Sequence, residues 1–102
     1  MFLNSKIFIL TTTFDSLQKC TTIANEIIKA KLAACCQIEE ITSIYNWKGE
    51  IANEKEFRLV CKTLKADELV DFIKVNHSYE IPEIIIQEVY TTDEYFNFVS
   101  GI

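Results

Sequence analysis

The spacing of apolar positions changes repeatedly along the chain, and each change marks an element. Residues 6–12 form a β-branched and aromatic run that predicts a first strand, and Asp15 follows as an acceptor able to cap a helix. From Leu17 onward Cys20, Ala24, Ile27 and Ile28 recur at helical spacing, with Lys19, Asn25, Glu26 and Lys29 between them, predicting an amphipathic helix to about Lys31. Over residues 33–47 the period shortens: Ile38, Ile41, Thr42, Ile44, Tyr45 and Trp47 favour strand, while the Glu39-Glu40 step breaks alternation and predicts a bulge. Lys48-Gly49-Glu50 turns the chain. Residues 56–62 then alternate, with Phe57, Leu59 and Cys61 on one face and Glu56, Arg58 and Lys62 on the other. Ala66, Leu69, Phe72 and Ile73 mark a second helix to about Asn76, and Pro82 bars regular helix beyond it. Residues 84–90 read as a buried strand, and a capping box from Thr91 to Glu94 opens a short last helix that closes near Gly101.

The resulting order, βαββαβ plus a terminal helix, is an α+β fold of the ferredoxin-like type, with two helices on one face of a four-stranded sheet. The second and third strands form a long hairpin. Arms over residues 33–47 and 51–62 reach roughly 40 Å at about 3.3 Å per residue, about twice the common strand length. Two short helices cannot cover such a hairpin, and its tip carries Tyr45 and Trp47. Long apolar strands with open edges aggregate unless another chain covers them, so oligomerisation follows from the pattern.

Composition narrows the function classes. At 102 residues, 49% hydrophobic, with Gly only 2 and Pro only 1, the chain reads as a single core-rich domain over residues 1–102 without linkers. Asp and Glu outnumber Lys and Arg by 15 to 10, and the net charge of −5 disfavours nucleic acid as a partner. Residues 1–10 are apolar but have no basic leading region and no small-residue cleavage site, and Lys6 interrupts them short of a membrane span. A cytoplasmic protein without a membrane partner is expected. Cys20, Cys35, Cys36 and Cys61 fit neither a CxxC zinc pair nor a secreted disulfide framework, so reduced thiols packed as small hydrophobes are expected. Within a strand Cys35 and Cys36 point to opposite faces and cannot jointly chelate one ion from within one subunit.

Residues that resist a core explanation cluster in three places: positions 45–50, the polar face of the third strand ending at Lys62, and positions 77–83. Trp47 fits either an interface or a ligand site. Glu56 and Lys62 fit a solvated strand face or a binding face. His77, at a helix C-terminus, fits dipole stabilisation or ligation, and Glu80 and Glu83 flank Pro82 as loop charges or ligands. No glycine-rich phosphate loop, HExxH, GxSxG or dinucleotide fingerprint is present. A binding protein is expected rather than an enzyme.

Positions 31–35 (KLAAC), 43–50 (SIYNWKGE), Glu56 with Lys62-Thr63, positions 77–84 (HSYEIPEI) and Tyr95 resemble, in order and spacing, the CutA divalent-cation-tolerance family. The resemblance implies a tight homotrimer in which long hairpins pair between subunits, in an architecture similar to the PII signalling proteins. It also implies tolerance of, or response to, divalent metal, notably copper, with copper or another divalent metal as a possible ligand and no obligatory cofactor. Family members in animals are linked to acetylcholinesterase anchoring, which implies a protein partner or scaffolding role as the alternative. Carried over by position, the pocket residues are Tyr45, Trp47, Lys48, Glu56, Lys62, His77, Tyr79, Glu80 and Glu83, in clefts between subunits. The metal ligands are Cys35 and His77. The chain departs from the family at Ser78, where proline is usual; the change restores a backbone donor and frees the loop at His77.

Overall fold

The computed structural model describes residues 3–102, so the apolar opening at Met1 and Phe2 lies outside the described residues. The elements run β1 (Ser5–Phe14), α1 (Leu17–Lys29), β2 (Cys35–Trp47), β3 (Glu50–Thr63), α2 (Ala66–Asn76), β4 (Ile85–Thr91) and α3 (Asp93–Ser100). The strands form one antiparallel sheet in the order β2-β3-β1-β4, which is the ferredoxin-like arrangement. Leu10, Phe14, Leu59 and Cys61 leave one face of the sheet to meet Ile23, Ala24 and Ile27 of α1 and Leu69 and Ile73 of α2, and this contact is the main core. Ile7 and Val99 are also buried but lie outside that cluster. α3 packs against β1 and β3, covering part of the face that α1 and α2 leave open.

The long hairpin is present, and the molecule extends 45 Å along its greatest dimension. Its turn places Lys48 at φ 50 and Gly49 at φ 86, both left-handed, as a two-residue turn matched to strand twist requires. Asn46 Oδ1 accepts the Gly49 N–H at 3.2 Å. The bulge expected at Glu39-Glu40 does not occur: residues pair one to one from Cys35↔Lys62 to Trp47↔Glu50. The two carboxylates instead point to opposite faces, each finding a cation on β3, with Glu39 to Arg58 at 2.8 Å and Glu40 to Lys55 at 3.9 Å.

Four further expectations are corrected. Ser16, not Asp15, caps α1 by accepting the Lys19 N–H at 3.1 Å, and Asp15 pairs instead with the Lys19 ammonium. Thr92, not Thr91, caps α3 by accepting the Tyr95 N–H. β4 is an edge strand whose Ile85 and Ile86, on opposite faces, are 48% and 38% exposed, because among the described residues none pairs with its outer edge. Helix α1 also ends earlier than expected: Lys31 adopts φ 58, and its N–H and that of Leu32 return to the carbonyls of Ile28 and Ile27. That is a Schellman closure with lysine where glycine is usual.

Candidate functional site

The overhanging half of the hairpin forms one wall of a cleft of about 630 Å³. Period-two alternation places Ser43, Tyr45 and Trp47 of β2 beside Glu54 and Glu56 of β3 on this wall. The loop after α2, which Pro82 keeps from continuing as helix, supplies Ser78, Tyr79, Glu80, Ile81 and Glu83 opposite, and Thr13 and Asp15 close the floor. Glu56 is only 6% exposed, and its carboxylate accepts the Tyr79 hydroxyl at 2.6 Å. Burial, and then the Glu56 carboxylate, push the Tyr79 phenol above its ordinary value, so it remains a donor.

His77 holds the loop from behind. Its ring stacks on Phe14 with centroids 4.4 Å apart and planes 9° from parallel. Nε2 lies 2.8 Å from the Thr13 carbonyl and Nδ1 accepts the Tyr79 N–H at 3.1 Å, a network that assigns the proton to Nε2. Burial lowers its pKa, against the opposing pull of the Thr13 carbonyl. Both ring nitrogens are therefore engaged within the chain.

The structure brings Tyr45, Trp47, Glu56, Tyr79, Glu80 and Glu83 to one cleft, with His77 directly behind Tyr79. Lys48 lies in the turn, its ammonium 5.5 Å from the Trp47 ring. Lys62 is elsewhere. It shares a face with Glu56 but lies about 20 Å along β3 at the usual rise per residue, opposite Cys35, and donates to Gln37 Oε1. Cys35 is likewise at the hairpin base, facing Tyr95 of α3. Cys35 and His77 thus do not form a joint ligand set within one chain, and among the described residues no group of three or more His, Cys, Asp or Glu is placed to hold a metal ion. The donors that line the cleft are carboxylate and phenol oxygens, a chemistry that suits hard and borderline dications and fits Cu(I) poorly. Thr13, Asp15, Ser43, Ile44, Glu54, Ser78 and Ile81 also line the cleft and were not anticipated. For Glu54 a signal existed, since it lies two residues before Glu56 and shares its face.

The sequence model described as CutA1 divalent ion tolerance protein matches residues 8–101. A probable divalent-cation tolerance protein of Encephalitozoon cuniculi is 38% identical over 81% of this chain and 75% of its own length. The divalent-cation tolerance protein CutA of Thermotoga maritima is 36% identical over 85% and 89%. The chain spans far less of some longer relatives, such as 36% of the chloroplastic CutA of Arabidopsis thaliana. Among solved structures, CutA of Synechococcus elongatus superposes with a TM-score of 0.92 at 27% identity, covering 98% of this chain and 92% of that one. A PII-like CutA of a Nostoc species superposes at 0.86 with 31% identity over 92% and 94%. With the family's sequence model matched over residues 8–101 and the fold shared with a CutA structure across nearly the whole chain, the chain belongs to the CutA1 divalent ion tolerance protein family.

Proposed function

We propose that the chain works as a homotrimer that binds a divalent cation, or a small cationic ligand, in clefts completed between subunits, and so contributes to the metal tolerance for which the family is named. The observation that carries this reading is the charge of the cleft: Asp15, Glu54, Glu56, Glu80 and Glu83 line it, no lysine or arginine among the described residues does, and of the five only Asp15 is paired with a nearby cation, Lys19. Water-poor concave sites lined by one sign of charge concentrate the opposite ion. Assembly is supported by the apolar surface beside it, with Ile44 68%, Ile51 80% and Trp47 42% exposed on the overhanging hairpin. Copper heads the divalent affinity order and is the metal expected to bind most tightly, in the Cu(II) state that oxygen donors accept. Ligation through Cys35 or His77 requires a neighbouring subunit to supply the remaining donors, and for His77 the loss of one of its two bonds. The four free cysteines fit a reducing compartment such as the cytoplasm. No helix among the described residues is long and apolar enough to cross a membrane. We read the role as binding rather than catalysis, a reading supported by the engagement of both ring nitrogens of the lone histidine in holding the loop.

Anaerobic titration with Cu(I), Cu(II) and Zn(II) tests the proposal. Saturation by Cu(II) or Zn(II) at a fixed ratio per subunit, weakened at least tenfold in Glu80→Gln/Glu83→Gln, supports it. Equal uptake by the parent, that variant, Cys35→Ser and His77→Ala refutes it. A second reading, a scaffolding trimer that docks a protein and has no metal role, is favoured by Val75 of α2 and Ile81 of the cleft loop, which stand 82% and 71% exposed.

A further inference from the structure

Away from the cleft, α1, β2 and β3 bring Cys20, Cys36 and Cys61 to one region of the core. Cys36 and Cys61 are direct partners across the β2–β3 ladder, and their sulfurs are 3.5 Å apart. The pair differs in access. Cys61 is wholly buried on the central strand β3, whereas Cys36 stands on the edge strand β2 and is partly open. The two sulfurs are within hydrogen-bonding distance, and either can donate to the other. A partly open sulfur in contact with a second, buried thiol has the arrangement of an attacking and a resolving cysteine.

We propose that Cys36 and Cys61 form an oxidisable dithiol that closes to an intramolecular disulfide when a small peroxide reaches Cys36. The Cys36 thiolate attacks one oxygen of hydrogen peroxide, the O–O bond breaks, and Cys36 becomes a sulfenic acid. The departing hydroxide takes up the proton that Cys36 had released and leaves as water. Cys61 sulfur then attacks the Cys36 sulfur, the S–O bond breaks, and the second hydroxide leaves as water with the Cys61 proton. Two thiols lose two electrons and two protons, and one peroxide becomes two waters. The sulfurs need to close from 3.5 Å to about 2.05 Å, a side-chain adjustment. The competing thiols are poorly placed. Cys35 points to the opposite face of the sheet, and Cys20 is fully buried with its thiol pushed up to about 11 by burial and by Cys36.

The inference is independent of cation binding, because neither sulfur lines the cleft. The test uses the reduced, assembled protein without metal, treated with hydrogen peroxide, followed by thiol counting under denaturing conditions and non-reducing peptide mapping. Free thiols are expected to fall from four to two, with a Cys36–Cys61 link that a reductant reverses. In Cys61→Ala, Cys36 is expected to stop at a sulfenic acid trapped by a dimedone-type reagent; in Cys36→Ser, Cys61 is expected to stay a thiol. The parent measurement stands alone if either variant fails to fold. A link through Cys20 or Cys35, a link between subunits, over-oxidation of Cys36 beside a free Cys61, or four surviving thiols overturns the proposal.

Discussion

Replacing Tyr79 by phenylalanine removes one atom from the least solvated part of the cleft. The ring that packs 4.8 Å from the His77 ring is kept, as is the backbone N–H that fixes His77 Nδ1, so the loop loses only the hydroxyl. That hydroxyl is 2.6 Å from a carboxylate oxygen of Glu56, a residue 6% exposed. Hydrogen bonds to charged groups contribute about 1.5–3 kcal/mol, and a buried acceptor left alone pays its desolvation as well. Tyr79→Phe should therefore destabilise by about 2 kcal/mol, near the middle of that range, because water entering from the open side of the cleft can replace part of the bond. Chemical denaturation at matched protein concentration reads this as a lower midpoint at unchanged slope. The partner variant Glu56→Gln keeps an acceptor for the phenol and should cost less than Glu56→Ala. In the cycle joining Tyr79→Phe with Glu56→Ala, the double variant should recover at least about 1 kcal/mol relative to the sum of the singles. Tyr79→Phe within about 0.3 kcal/mol of the parent, with an additive cycle, would refute the view that this bond anchors the loop.

Trp47→Ala should weaken assembly, costing more than about 2 kcal/mol if the side chain is an interface anchor, and sedimentation equilibrium should shift from about three times 11.8 kDa toward the single chain; an unchanged trimer refutes it. Gly49→Ala should cost about 1–2 kcal/mol from backbone conformation alone, because its φ is +86 and a new Cβ meets nothing within 4 Å; thermal unfolding measures it. His77 has a pKa below its ordinary 6.5, so the unfolded chain binds the proton more readily and stability falls as pH drops through 6.5 toward the folded value. Denaturation midpoints between pH 7.5 and 5.5 should fall less steeply for His77→Gln than for the parent.

The elements were legible where one face of each is buried and the other wet, because the period then reports the fold. Both helices under the sheet and the alternation of Leu59 and Cys61 are of this kind. The Glu39-Glu40 step suggested a bulge because the edge strand β2 is exposed on both faces over residues 37–40, so hydrophobicity no longer tracks the pleat. Ile85 and Ile86 read as core because a strand awaiting a neighbouring surface carries the same apolar run as one already covered. In the site, parity along the strands groups Tyr45, Trp47 and Glu56, but it also groups Lys62, since parity reports face and not distance. Tyr79, Glu80 and Glu83 arrive on a loop with no period: their polar and aromatic character around Pro82 marked the segment, but which side of the molecule it faces was not legible.

The unbroken register of the hairpin also orders events in time. Trp47 and Glu50 face each other across a two-residue turn already biased to the left-handed region by Gly49, so pairing can begin there and extend outward with little loop entropy lost at each step. Hairpins of this kind form in about 1–10 μs. Closing the other edge of the sheet is a different matter: Ser5 meets Asp93 across 88 residues, a contact that repays its entropic cost only after the intervening elements are in place. The hairpin is thus the locally encoded part of the molecule, able to present its ladder before the β1–β4 edge has closed.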